Sequence, residues 1–256
     1  MTSENRNQNA DFELLRKQID EIDSQIVKLI NQRAEIASQI GKSKLGKGLK
    51  IYSPAREFAI HQKIQQDYSG ILPVHIVHDI YRELMIGSFE IAGGLKIATY
   101  KKSQNPARRK FGRCSELLKS GSFGEFLENI SEKKCDFAVI SLAELAKSLT
   151  DQSAKLFESE EISVVSLIAD YDSETDKLID FAVLSAGSSC EIRADFALLA
   201  TGNLQNDAYQ YKLRVVDLNG EKFRNRSGIL EKYASNRGNC KKNLILGIFP
   251  ASIDMI

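Results

Sequence analysis

Apolar positions along the first third of the chain follow one helical stripe. Leu15, Ile19, Ile22, Ile26, Leu29, Arg33, Ile36 and Ile40 recur in alternating steps of four and three, the spacing of a coiled-coil seam. No proline or glycine interrupts this stretch before Gly41. Thirty helical residues span about 45 Å, longer than an 80-residue domain is wide. Two short helices of the same chain cannot cover such a seam, so the pattern predicts a partner, most simply the same helix of a second subunit. Polar or Pro/Gly-bearing breaks at Gly46–Ser53 and Ser69–Pro73 divide residues 11–92 into three helices. Ser53 followed by Pro54 is a cap and first-turn pair that starts the second helix, and the third runs from Pro73 to Ala92.

After Ala92-Gly93-Gly94 the pattern changes to short strand-like runs. These are Leu95–Tyr100, Phe137–Ile140, Ile162–Ile168, Phe181–Leu184, Phe196–Ala200, Leu213–Val216 and Leu244–Phe249, with helical patterns at Phe123–Ile130 and Gly228–Ala234 among them. The expected architecture is an all-α, three-helix, dimeric unit over residues 1–94, followed by an α/β or α+β unit over residues 95–256.

Composition narrows the function. Thirty-five Lys and Arg against 34 Asp and Glu leave a net charge of +1, so no global field favours nucleic acid or an anionic membrane, and an anion site must be local. Apolar runs are only a few residues long, too short to span a bilayer. The polar start MTSENRNQNADF lacks the apolar core of a secretory signal, and the four scattered cysteines (Cys114, Cys135, Cys190, Cys240) form no Cys-x-x-Cys pair. A cytoplasmic protein with reduced thiols is expected. Residues 79–256 contain no histidine, which argues against a Ser/His or Cys/His nucleophile there. His75 and His78 lie three apart with no further ligand nearby in sequence, so no metal site is expected.

Candidate chemistry begins with Arg33, a cation inside the apolar seam that costs desolvation energy unless something pairs with it. Lys44 lies eleven residues on, close to three full turns, so both cations share the stripe and could converge on one anion. Arg56 and Glu57 fall in the first turn of the second helix, Arg16 sits beside seam residue Leu15 where it could reach across a dimer, and Ser88 lies near the end of the third helix. Each also has a plain reading: solvated surface charge for Arg16, Arg56 and Glu57, a neighbouring acid or a snorkelling stem for Arg33, and a bond to the carbonyl one turn back for Ser88.

The ordered run Leu15-Arg16, Ile19-Asp20, Asp23, Asn31-Gln32-Arg33, Glu35, Gly41-Lys42, Lys44, Pro54, Arg56-Glu57, Tyr81-Arg82-Glu83 and Ser88 resembles the all-helical chorismate mutase family. The resemblance implies an intertwined helical dimer that rearranges chorismate to prephenate without a cofactor. It implies that Arg16 is donated across the dimer, that Arg33 and Ser88 bind substrate carboxylate, and that Lys44 meets the ether oxygen. Arg56 would support the site and Glu57 would take the ring hydroxyl. Two positions depart from the family pattern. Ala92 stands where the family carries a glutamine or glutamate on the ether oxygen, and Ser53 where it carries an acid. Loss of one preorganised donor costs on the order of a hundredfold, so a weakly catalytic or regulatory binding protein that keeps the fold for dimerisation is the alternative, with isochorismate a further candidate substrate.

Residues 95–256 resemble a worn prephenate dehydratase region. The carriers are the strand Leu95-Lys96-Ile97-Ala98-Thr99-Tyr100, Ser122-Phe123 and Cys135-Asp136-Phe137-Ala138-Val139-Ile140, with Ser227-Gly228-Ile229-Leu230 similar to the amino-acid-sensing module of such proteins. The family's Gly-Pro-x-Gly-Thr-Phe loop is missing, and its Thr-Arg-Phe triplet stands as Ala194-Asp195-Phe196, so no dehydratase activity is expected. All the cations assigned to substrate lie in residues 1–94, and this segment is expected to suffice for dimerisation and chemistry.

Overall fold

The computed structural model describes residues 3–172, 177–187, 196–205, 208–218 and 241–249. The opening helix, α1 (Ser3–Gly46), is 44 residues long, about 66 Å at 1.5 Å per residue. It continues five residues past Gly41, which is buried against the start of the loop after α3: a Cβ on Gly41 would lie 2.9 Å from the Ala92 Cβ. Glycine here allows two backbones to approach, and it does not end the helix. Ser53 caps α2 (Pro54–Asp67), its Oγ accepting from the Arg56 amide, with Pro54 in the first turn. The third helix, α3 (Val74–Ile91), stops before Gly93 and Gly94, which take φ of 114° and 76°.

The remaining elements are β1 (Lys96–Tyr100), α4 (Gln104–Phe111), β2 (Glu116–Ser120), α5 (Phe123–Ser131), β3 (Phe137–Ser141), α6 (Leu142–Ser148), α7 (Asp151–Glu158), β4 (Ile162–Asp172), β5 (Lys177–Ala186), β6 (Phe196–Gln205), β7 (Ala208–Asp217) and β8 (Lys241–Phe249). A five-stranded mixed sheet has the order β2-β1-β3-β5-β4, and a three-stranded antiparallel sheet the order β7-β6-β8. Strand β1 pairs in parallel with β2 and β3, with α4 and α5 as the crossovers, while β3/β5 and β4/β5 are antiparallel. The expectation of long helices followed by an α/β part is met.

All seven expected strands are present. The sequence pattern misses β2, whose Glu-Leu-Leu-Lys-Ser is a short, half-polar edge strand that exists because β1 offers it a parallel partner. It also misses α4, α6 and α7, each under nine residues. The expected helix at Gly228–Ala234, the Ser227–Leu230 motif, Cys190, Cys240 and most of the Ala194-Asp195-Phe196 triplet lie outside the described residues. Cys114 and Cys135 are free thiols, and burial pushes the Cys135 thiol up to about 11. Among the described residues no helix is long and apolar enough to cross a membrane, and no cluster of three or more His, Cys, Asp or Glu could hold a metal ion.

His78 does not pair with His75. It turns inward, and its Nδ1 lies 2.9 Å from Nδ1 of His61 on α2, while its Nε2 lies 3.3 Å from Gln65 Oε1. The amide oxygen requires a proton on His78 Nε2, so His78 Nδ1 accepts from His61 Nδ1–H. That leaves His61 Nε2 as a bare, buried lone pair without a hydrogen-bond partner.

Candidate active site

Three helices and the α1–α2 loop line one open-sided cavity of about 500 Å³. Its walls carry Arg33 and Lys44 from α1, Ser53 at the α2 cap, Arg56 and Glu57 from the first turn of α2, and Ser88 from α3. Leu29, Ile36, Ile40, Ile60, Met85 and Phe89 provide apolar surface between them. Residues 55 positions apart in the chain therefore meet, and two α1 residues three turns apart face one space, as their stripe requires.

Arg33 Nη1 donates to the Leu84 carbonyl at 3.1 Å and to Ser88 Oγ at 3.0 Å. Ser88 in turn donates to Leu84 O at 2.7 Å, the bond expected of a helix-interior serine, while keeping its place on the cavity wall. Lys44 Nζ donates to Ile51 O at 3.0 Å. Among the described residues no carboxylate stands within ion-pair distance of Arg33, Lys44 or Arg56. The partners of Arg33 and Lys44 are neutral, which leaves unused donors and uncompensated positive charge beside an apolar cavity.

Glu57 differs. Its Oε1 accepts from Lys110 Nζ at 2.9 Å and its Oε2 from the Tyr52 hydroxyl at 2.7 Å. Burial raises the Glu57 carboxyl, but the Lys110 charge, the two hydrogen bonds and His61 outweigh it and hold the group below its ordinary value. Both partners were missed by the sequence reading. Of the four buried residues of α4, Pro106, Ala107, Lys110 and Phe111, the last three fall at spacing i, i+3, i+4, so Lys110 is a cation on an apolar stripe, the same signal that Arg33 gives. It was not legible because α4 itself was not.

Arg16 is far from this cavity in the single chain. It lies exposed on α1 and pairs with Glu13 at 2.6 Å. Ala92 is buried behind Gly41 and is not part of the wall. Glu90 faces a different cleft with Arg108 and Arg113. The seven apolar seam residues, which also form the α1 wall at Leu29, Ile36 and Ile40, are each between 47 and 63% exposed.

Comparison with known proteins places this geometry. The family model for chorismate mutase type II matches residues 15–93. A bifunctional chorismate mutase/prephenate dehydratase of Aquifex aeolicus is 26% identical over 160 residues, 59% of this chain and 44% of its own length. One from Neisseria gonorrhoeae is 31% identical over 130 residues, 48% of this chain and 35% of its own. The T-protein of Haemophilus influenzae is 36% identical over 77 residues, 29% of this chain and 20% of its own. The chain thus spans less than half the length of these curated relatives. The first match covers more of the chain than residues 1–94 contain, so it continues into the α/β region. The helical segment, residues 15–93, carries the chorismate mutase type II pattern.

Proposed function

We propose that the chain is a chorismate mutase, built as a helical unit over residues 1–94 and an accessory α/β unit over residues 95–256. The carrying observation is that Arg33, Lys44, Arg56, Glu57 and Ser88 surround one apolar-walled cavity whose cations lack carboxylate partners. Chorismate is a dianion, and its rearrangement to prephenate is intramolecular. The reaction calls for a fixed folded conformer and fixed positive charge at the oxygen that gains electron density. Arg33 and Ser88, already joined, hold one carboxylate. Lys44 directs its remaining N–H groups to the ether oxygen, Arg56 adds positive charge, and Glu57 accepts from the ring hydroxyl.

The site is complete in a homodimer. The exposed seam on α1 covers the same seam of a second copy, closes the cavity along Leu29, Ile36 and Ile40, and brings the second copy's Arg16 to the other substrate carboxylate. The expected setting is cytoplasmic aromatic amino acid biosynthesis. A direct assay of chorismate loss tests this reading: purified protein accelerates the reaction over buffer, and no acceleration removes the proposal. A regulatory protein that binds chorismate without converting it is the second reading, favoured by Ala92, which leaves Lys44 as the sole donor at the ether oxygen. Binding without turnover distinguishes it, and mass analysis of products separates chorismate from isochorismate chemistry.

A further inference from the structure

We infer that Lys110, from the α/β region, is a positioning residue of the helical cavity that holds Glu57 ionised and fixed in its wall. The inference rests on the mutase reading for its functional meaning but not for its geometry.

Lys110 is one of the most deeply buried cations described, its side chain 3% exposed, and it reaches out of α4 to Glu57 Oε1. It does not line the cavity; it stands behind the carboxylate. Without it, Glu57 would present an unbalanced negative charge to a site meant for a dianion. With it, the Lys110–Glu57 pair is neutral, and Arg33, Lys44 and Arg56 keep their full attraction for the ligand. The lone pairs that Lys110 and Tyr52 leave on Glu57 remain able to accept from a ligand hydroxyl.

The same contact roots the pocket in the sheet. Tyr52, 4% exposed, packs edge-on against Phe89 of α3, Phe111 of α4 and Phe137 of β3, with ring centroids 5.7, 5.3 and 5.1 Å away. Lys50 donates to the Ala186 carbonyl at 2.7 Å and also bonds Ser185 at the end of β5. The α1–α2 loop that positions Ile51, Ser53 and Glu57 is thus fastened to the α/β region at three points. The groups facing Glu57 are Lys110 from α4, Tyr52 from the loop and His61 one turn along α2, and the other charged groups of the cavity wall are Arg33 and Lys44 on α1 and the adjacent Arg56.

The test uses the full chain, as wild type and as Lys110→Met, Lys110→Arg and the double variant Lys110→Met/Glu57→Gln. The Glu57 carboxyl carbon is followed by NMR through a pH titration, its resonance identified by its loss in Glu57→Gln, and chorismate turnover is measured over the same range. In Lys110→Met the Glu57 midpoint should rise by about 1–3 pH units, turnover should gain an inflection at that midpoint, and Lys110→Arg should restore both. A folded Lys110→Met with the wild-type midpoint and profile overturns the inference. If Lys110→Met does not fold, recovery of folding in the double variant supports the pairing, and no recovery overturns it. A moved midpoint in a protein whose wild type never turns over chorismate leaves the positioning of Glu57 standing and removes the mutase reading.

Discussion

Phe126, Phe157 and Leu145 in the sheet-bearing region are fully buried, while Leu15, Ile22 and Leu29 on α1 are each more than half exposed. The charges differ in the same way. Arg109 pairs with Asp170 and Lys101 with Glu144 in the α/β region, whereas Arg33, Lys44 and Arg56 face a cavity whose one carboxylate, Glu57, is paired with Lys110 instead. One region satisfies its burial and pairing largely within a single chain. The other leaves an apolar seam for a second chain and a positive cavity for an anion. The unmet demands locate the function, since exposed apolar area and unpaired partly buried cations both cost free energy until a partner arrives.

The largest expected effect comes from breaking the seam. Ile22→Glu with Ile26→Glu places four charges in the interface of the proposed dimer. Sedimentation should show loss of association at micromolar concentration, and turnover should vanish with the second copy's Arg16. A dimer that survives removes the seam as the interface.

Arg33→Ala acts on the cavity alone. Turnover should fall by about 10²–10³-fold, the size of one lost donor to developing charge, with the helical circular dichroism and association unchanged.

The His61–His78 contact between α2 and α3 makes the helical region acid-sensitive. Burial holds His61 at about 4, against 6.5 for the ordinary group, and lowers His78 as well. The folded protein refuses a proton that the unfolded chain accepts, so stability is full above about 6.5 and falls as pH drops toward 4. The loss should reach up to about 3 kcal/mol, at 1.4 kcal/mol per pKa unit. Glu57, also depressed, adds a loss in the same direction at lower pH. Thermal melts of wild type and His61→Leu across this range check it: the variant should show a flatter dependence.

Residues 1–94 alone keep the seam but lose Lys110 and two of the three rings packed on Tyr52, those of Phe111 and Phe137. The fragment should still dimerise, with turnover reduced because Glu57 loses the cation and the packing that hold it in the wall. Full activity in the fragment would separate the two regions completely. The smallest effect is expected from Ala92→Gln. Position 92 is buried against Gly41, which lines the cavity, so a longer side chain must displace that contact before it can add a donor near Lys44. Turnover should rise by no more than about tenfold, less than the full worth of a preorganised donor.

The sequence by itself determined the three helices, their breaks, seven of the eight described strands and the line of cations along α1. These follow from periodicity, capping and chain stiffness, which act within a few residues of each other. The eleven-residue spacing of Arg33 and Lys44 is such a local fact, and so is the Ser53-Pro54 start of α2. Only the tertiary structure decided that Ser88 bonds Arg33, that Ala92 lies behind Gly41 and outside the wall, that His78 answers to His61, and that Lys110 secures Glu57. Each depends on which elements pack together, and that choice is made by burial summed over the whole core. Lys110 shows the reason most directly: in the chain it is one of three consecutive cations on a short polar stretch, and only the docking of α4 against the α1–α2 loop turns one of them inward.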